Sequence, residues 1–171
     1  MNKETEVYSW LLETYVSKLV DRVNLFSDVQ WQWHPSPPVP SAQMLTTSAL
    51  EWMICDRHHI MEPDAHFHEA IPPTPAERAK VVLSLQAEVK EWVRLLSQIR
   101  VEDLDAPRRQ FNRLDADNQD VRWMMLHAID NIVHKLGEIT VLSLALGHSG
   151  AEPYKNDLPA EAYERLRPHL D

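Results

Sequence analysis

Residue types that ligate metals are concentrated in two stretches of the chain, and one of them is residues 127–139 (HAIDNIVHKLGEI). On a helix, the Cα atoms of His127 and His134 would lie about 10 Å apart, at a rise of about 1.5 Å per residue. This separation does not suit one chelate, because helical ligands normally come from positions i and i+3 or i+4. One turn after His127 stands Asn131, a weak neutral ligand, and one turn further stands Lys135, a cation. We therefore expect that residues 127–139 do not chelate a metal ion on their own.

The other stretch contains a better pair of ligands. Cys55 and His59 are one turn apart, with Trp52 on the same side. A thiolate and an imidazole at positions i and i+4 can bind Zn²⁺. The alternative interpretation is that Cys55 is a small buried hydrophobe and that His58 and His59 lie on the surface. The residue types alone leave both interpretations open.

Composition and charge argue against several other functions. The chain has 171 residues and a formal net charge of −9, which disfavours nucleic acid and anionic membranes as partners, because both attract basic surfaces. Neither a Gly-rich phosphate loop nor a G-x-S-x-G motif occurs. A single cysteine excludes an internal disulfide and fits a reducing compartment. Residues 1–10 lack the apolar region of a signal peptide, and no apolar run reaches about 18 residues. We therefore expect a cytoplasmic protein.

Apolar residues recur at helical spacing in four long segments. The second helix is predicted to start near Ser48, because Ser48 and Glu51 have the spacing of a capping box, and Pro63 should end it. Thr74 is predicted to cap the third helix in the same way. The four predicted helices cover about 4–26, 48–62, 74–99 and 118–146.

This pattern predicts an all-α fold, a four-helix bundle with long crossover connections. Two connections are long: a proline-rich loop at about 28–42 and a charged segment at 102–117. We expect residues 1–150 to form the bundle and residues 151–171 to form a C-terminal tail with a short helix.

The fourth predicted helix has a mixed polar face. One wide arc is apolar and contains Met125, Ile129, Ile132, Val133, Leu136 and Ile139. The opposite arc contains His127, Asp130, Asn131, His134, Lys135 and Glu138, together with Trp123, Met124, Val141 and Leu142. A solvated face is one interpretation of this arc. A partly buried face that lines a cleft explains the mixture better.

Residues 121–139 (VRWMMLHAIDNIVHKLGEI) resemble the last long helix of the DinB-like (damage-inducible) superfamily of four-helix bundles. They are most similar to a branch of bacterial proteins with an R-W-x-x-x-H pattern and an H-x-G ending. Arg122, Trp123, His127 and Gly137 match residues of this pattern, but the ending here reads H-K-L-G. The segment WQWHPSPPVPSA followed by SALEWMIC also resembles the family's Trp- and Pro-rich loop and its Ser-started second helix. The resemblance covers residues 4–147 and implies a bacterial protein.

The resemblance implies a divalent metal site of three histidines, one from the second helix and two from the fourth. Some relatives are thiol-dependent transferases or isomerases, in which the metal would activate the thiol. Carried over residue by residue, the three ligand positions fall on Cys55, Asn131 and Lys135, and none of these is histidine.

Two hypotheses follow. In the first, the metal site is degenerate, no divalent metal is expected, and the protein is a small-ligand-binding or interaction module. Its pocket candidates are Trp52, Cys55, His59, His127, Asn131 and Lys135. In the second, the protein is a metal-dependent thiol transferase or hydrolase, with Asp130 or Glu138 as base. Its rebuilt site would hold Zn, Ni, Mn or Fe through Cys55, His59, His127 and His134. The resemblance and the surplus of apolar residues in the first and third helices also predict a homodimer.

Overall fold

The computed structural model describes residues 2–63, 75–108 and 119–148. Within these ranges the regular elements are helices, and the one β-bridge, between Pro107 and Asp120, is isolated. The prediction of an all-α bundle is confirmed. No described helix is both long enough and apolar enough to span a membrane. The α-helices are α1 (Lys3–Val23), α2 (Asp28–Gln32), α3 (Ala42–Met61), α4 (Arg78–Leu96) and α5 (Val121–Ala145), with a 3-10 turn at Val101–Asp103.

The start of α3 differs from the prediction. The helix begins at Ala42, directly after the last proline of the loop, and Ser48 lies inside it. Ser41 is the true N-cap, because its hydroxyl accepts a hydrogen bond from the backbone N–H of Met44 at 3.2 Å. The predicted capping box was wrong because its spacing also arises by chance within a helix, where no backbone N–H is left to be capped.

Replacing Ser41 with alanine is expected to lower the free energy of unfolding by about 1 kcal/mol, the usual value of a serine N-cap. Ser48→Ala is the matched control, and its effect should stay within about 0.5 kcal/mol, because alanine favours a helix interior. Urea unfolding followed by circular dichroism measures both. Equal effects of the two substitutions would contradict the assigned helix start.

The short helix α2 was not predicted and lies within the proline-rich loop. Ser27 and Gln30 form a capping box, with the Ser27 hydroxyl accepting from Gln30 N and the Gln30 side chain accepting from Ser27 N. The helix buries Trp31, whose indole Nε1 donates to the carbonyl of Ala76 at 3.2 Å. The loop is thereby fastened to the start of α4.

Thr74 and the predicted tail at 151–171 fall outside the described residues. The predicted start of the third helix directly after Thr74 was nevertheless wrong, because residues 75–77 are described and are not helical. α4 itself begins at Arg78, and its N-cap Glu77 makes no side-chain capping bond.

Contacts at one end of the bundle fix the direction of three helices. Asn2, just before α1, donates to the carbonyl of Ile99, just after α4, at 3.3 Å. Arg122, at the start of α5, pairs with Glu4 at the start of α1. The starts of α1 and α5 therefore lie together with the end of α4, so α1 runs parallel to α5 and antiparallel to α4.

Contacts between α3 and α4 show that these two helices are also parallel. Gln43, near the start of α3, donates to the carbonyl of Ala76, just before α4, at 3.1 Å. Further along, the Trp92 indole of α4 donates to the carbonyl of Met53 in α3 at 3.0 Å. The bundle thus consists of two parallel pairs that run antiparallel to each other. Because α3 ends where α4 ends, the link from α3 to α4 joins opposite ends of the bundle and is the crossover connection.

The packing of α5 explains why the division of this helix into an apolar and a polar arc was only partly correct. α5 packs against both α1 and α3 and so buries two of its sides. Met124 and Leu142, assigned to the polar arc, are buried, whereas Val133, assigned to the apolar arc, is exposed. Other fully buried core residues come from all four long helices and include Leu12, Leu19, Met53, Leu85, Trp92, Met125 and Ile132.

Candidate functional site

A buried carboxylate and a histidine meet where α3 packs against α5. Asp56 on α3 is completely buried. Its two carboxylate oxygens lie 2.9 and 3.1 Å from Nδ1 of His127 on α5. A buried carboxylate without a partner would strongly destabilise the fold, and the contact with His127 offsets part of that cost for Asp56.

The other ring nitrogen of His127 is also occupied. The Asn131 amide Nδ2 lies 3.0 Å from Nε2 of His127 and also donates to the His127 carbonyl at 3.0 Å. The bond to the carbonyl sets the orientation of the amide, so Nδ2 faces Nε2 as a donor. Nε2 must then accept, Nδ1 carries the proton, and Asp56 accepts from Nδ1. This chain of hydrogen bonds satisfies the imidazole and leaves no lone pair of the ring for general-base chemistry.

Two tryptophans enclose the imidazole. The ring of Trp123, one turn earlier on α5, stacks on that of His127 with centroids 4.6 Å apart and an interplanar angle of 15°. The ring of Trp52 meets it edge-on at 4.9 Å and 86°. The His127 side chain is 21% exposed. We call Trp52, Asp56, Trp123, His127 and Asn131 the His127 cluster.

Burial changes the acid–base properties of Asp56. It raises the pKa of the carboxyl from 3.8 to about 6, and the hydrogen bond from His127 opposes only part of the rise. Between about pH 4 and pH 6 the folded state therefore holds this proton more readily than the unfolded state. The free energy of unfolding falls as pH rises through this window, and at neutral pH the carboxylate destabilises the fold.

Cys55 is held as a thiol in this setting. Its side chain is buried, and burial, together with the negative charge of Asp56, raises the pKa of the thiol to about 12. A metal ion that bound Cys55 would have to displace this proton. His59 is completely buried as well, so the interpretation that placed it on the surface was wrong.

The remaining candidates lie away from the buried pair. His134 is 66% exposed, and its Nε2 is 3.6 Å from Glu138 one turn later on the same helix. Lys135 is 19% exposed, and its ammonium donates to Glu138 at 3.3 Å. Asp130 is exposed. Within residues 2–63, 75–108 and 119–148, no three His, Cys, Asp or Glu side chains are grouped closely enough to hold a metal ion.

These environments do not fit the divalent cation that the resemblance implies. Of its three ligand positions, Cys55 is held as a thiol and Asn131 is committed to His127. Lys135 would place an ammonium beside the cation, which repels it. In the alternative set, Cys55 and His59 are buried in α3, whereas His134 is exposed on α5. Both ring nitrogens of the fourth member, His127, are already engaged by Asp56 and Asn131.

Sequence reasoning missed Asp56 and the enclosure of His127. Asp56 is 71 residues from its partner, and nothing in the local pattern pairs them. The stacking of Trp123 had a detectable signal, because residues four apart on a helix are neighbours.

Comparison with known proteins supports the fold and does not identify a family. No protein-family model matches the chain, and no curated protein is significantly similar to it. A solved structure is similar, described as the crystal structure of a conserved protein from Enterococcus faecalis. It superposes with a TM-score of 0.64 at 17% sequence identity, covering 86% of this chain and 99% of that one. At this identity the likeness establishes a shared helical bundle fold.

Proposed function

We propose that the protein is a metal-independent small-ligand-binding or interaction module built on a DinB-like bundle. The observation that carries the proposal is the hydrogen-bond chain from Asp56 through His127 to Asn131. In the region where the resemblance implies a metal, the polar side chains are instead paired with one another. Asp56, His127 and Asn131 form the hydrogen-bond chain, and Lys135 pairs with Glu138.

The surface offered to a ligand lies along α5 beside the His127 cluster. Trp52, Trp123, Asn131 and Lys135 are all partly exposed, so aromatic rings, an amide and a cation each reach the solvent along this side of the bundle. Binding sites commonly combine apolar surface with a few polar groups that orient the ligand. Cys55 is buried beside Asp56 in α3. The same reduced cysteine supports our proposal of a cytoplasmic location.

Metal content tests the first half of the proposal. Protein purified without a His-tag or chelator should contain only trace metal by elemental analysis. It should remain so after incubation with Zn²⁺, Ni²⁺, Mn²⁺ or Fe²⁺ and desalting. The double variant Asn131→His with Lys135→His is the positive control, because it restores two histidines at i and i+4 and should retain Zn²⁺ or Ni²⁺. Stoichiometric metal in the unaltered protein would instead support the metal-dependent transferase or hydrolase.

Ligand binding is tested by a thermal-shift screen of a small-molecule library. A ligand of this surface should raise the Tm of the unaltered protein and of Lys90→Met, a variant that removes an exposed lysine on α4. The rise should be smaller for Lys135→Met, because that substitution removes the cation from the proposed surface. If every stabilising compound acts equally on both variants, the proposed surface is wrong.

A further inference from the structure

Apolar residues recur along the outer side of α5. Val133, Gly137, Val141 and Leu144 follow one another at intervals of three or four residues, which places them on one side of the helix. The three large side chains are all exposed, and Val141 is 65% exposed. We call these four residues the Gly137 stripe. Single exposed apolar residues are ordinary on a protein surface, whereas a continuous row of them is typical of an interaction surface.

The stripe borders a groove between α1 and α5. The groove has a volume of about 350 Å³ and is lined by residues between 15 and 22 of α1 and between 133 and 140 of α5. A helix turns about 100° per residue, so this side of α5 faces away from His127, Asn131 and Lys135. The groove and the stripe therefore form one face of the bundle, separate from the His127 cluster.

Gly137 stands in the middle of α5, where glycine is about 1 kcal/mol less favourable than alanine. A Cβ added at this position would meet no atom within 4 Å, so no contact within the described chain requires a glycine here. A contact from outside the chain does, because the missing side chain lets another backbone approach α5 closely. Gly137 therefore marks the point where a partner helix would cross α5.

The stripe is symmetric about Gly137. Val133 lies four residues before it, and Val141 lies four residues after it. If a second copy of α5 crosses antiparallel at this glycine, Val133 of each copy meets Val141 of the other. Such a match of one patch with itself is what the interface of a two-fold homodimer requires.

Two charged residues of α1 fit the same two-fold axis. α1 and α5 are parallel, and the Glu4–Arg122 pair joins residues 118 positions apart, so Gly137 lies level with residue 19. Lys18 and Asp21 stand on either side of this level, and both line the groove. An axis that crosses both helices at this level therefore places Lys18 of each copy opposite Asp21 of the other, as two ion pairs.

The charge of the whole chain explains why this face suits a second copy. Two copies with a net charge of −9 each repel one another, so they associate best through a face whose own charges cancel. Lys18 and Asp21 cancel on the α1 side, and Arg22, which also lines the groove, already has a partner within the chain. The Gly137 stripe itself is uncharged, and Asp130 lies one turn before it, at the end of the face.

The face is large enough for an interface at the lower end of the usual size range. Residues 126–144 of α5 span about 28 Å at a rise of about 1.5 Å per residue, and two neighbouring helices are about 20 Å wide. The face therefore offers on the order of 600 Å² per copy in projection, or about 1,200 Å² for the two copies together, which is where stable interfaces begin.

We propose that this face is the interface of a symmetric homodimer. The two α5 helices cross antiparallel at Gly137, Val133 packs against Val141 of the other copy, and Lys18 pairs with Asp21 of the other copy. The His127 cluster lies on another side of α5 and stays accessible in the dimer, so the dimer does not depend on the proposed ligand-binding function.

The test is sedimentation velocity of the full chain at protein concentrations from about 1 to about 200 μM, which reveals dissociation constants in the micromolar range. The unaltered protein should pass from monomer to dimer across these concentrations or be dimeric at all of them.

Two substitutions in the stripe should raise the dissociation constant at least about tenfold, a difference of about 1.4 kcal/mol. Gly137→Leu blocks the crossing point with a side chain that the open space of the single chain accepts. Val141→Glu places a charge within the apolar contact. Leu83→Glu is the matched control and should leave the dissociation constant unchanged, because Leu83 on α4 is 64% exposed and lies outside this face. Circular dichroism confirms that each variant is folded.

Charge reversal tests the pairing on α1. Lys18→Glu alone and Asp21→Lys alone should each weaken the dimer about fivefold, because each brings like charges together at two symmetric contacts. The double variant Lys18→Glu with Asp21→Lys restores opposite charges across the interface and should dimerise like the unaltered protein.

Four results would overturn the proposal. The first is a protein that stays monomeric at the highest concentration, which would leave the stripe to the chain's own tail or to another protein. The second is a dimer that neither Gly137→Leu nor Val141→Glu weakens. The third is a dimer that Leu83→Glu weakens as strongly as Val141→Glu. The fourth is a double charge variant that dimerises no better than the two single variants.

Discussion

Replacing His127 with phenylalanine is expected to lower the free energy of unfolding by about 3–5 kcal/mol at neutral pH. Phenylalanine keeps a flat ring between Trp52 and Trp123 but offers no N–H to Asp56. The buried carboxylate then loses the hydrogen bond that holds its pKa down to about 6. Urea unfolding, followed by circular dichroism, measures the loss of stability.

The pH dependence of this loss is its specific signature. Without His127 the pKa of Asp56 rises further, so the carboxyl is protonated over a wider range of pH. At about pH 5 the side chain is neutral in the folded variant, and the destabilisation relative to the unaltered protein should shrink. A loss of equal size at about pH 5 and at neutral pH would show that the buried carboxylate is not its cause.

Asp56→Asn is the matched control, because its amide oxygen can still accept from Nδ1 of His127 while the buried charge is gone. This variant should be at least as stable as the unaltered protein at neutral pH. It should also lack the fall in stability between about pH 4 and pH 6 that Asp56 causes. Adding His127→Phe to Asp56→Asn should cost clearly less than His127→Phe alone, which a double-mutant cycle would quantify.

Replacing Arg57 with methionine is expected to have the second large effect, a loss of about 3 kcal/mol at neutral pH. Arg57 on α3 pairs through two nitrogens with both carboxylate oxygens of Glu88 on α4, and the Nη2–Oε2 distance is 3.0 Å. The Glu88 side chain is only 8% exposed. Methionine preserves much of the packing of the arginine stem but leaves this carboxylate buried without its cation.

The pair of Arg94 and Glu91 on α4 provides the control. It is also an arginine–carboxylate pair, but both side chains are about half exposed. Arg94→Met should therefore change stability by no more than about 0.5 kcal/mol. Burial raises the pKa of Glu88, so the Arg57→Met penalty should shrink in acid as that carboxyl takes up a proton. Equal penalties for Arg57→Met and Arg94→Met would contradict the role of burial.

Periodicity predicted the four long helices because each buries a continuous stripe of apolar residues. Periodicity was less reliable for helix starts, because a single hydrogen bond to the N-cap determines where a helix begins. Ser41 and Ser48 are both serines followed by helical sequence. Only Ser41 lies beside a backbone N–H without a partner in the helix, that of Met44, and Ser41 is therefore the N-cap. The direction of the helices could not be predicted from the sequence either, since a helix buries the same apolar stripe in a parallel and in an antiparallel pair.

The candidate site was partly predictable for a related reason. His127 and Asn131 are one turn apart, so their proximity follows from the helix itself. The contact of His127 with Asp56 depends on the register between α3 and α5, which no local pattern encodes. The burial of His59 depends on the same packing.

The parallel pairing of α1 with α5 also has a consequence for synthesis on the ribosome. The Arg122–Glu4 pair joins residues 118 positions apart, and all the packing between these two helices has a comparable separation. Contacts of such high order form late, because the long intervening chain must first be closed into a loop. The apolar stripe of α1 therefore remains uncovered on its α5 side until α5 has left the exit tunnel. During that interval the nascent chain exposes a surface that chaperones bind and that aggregation can exploit.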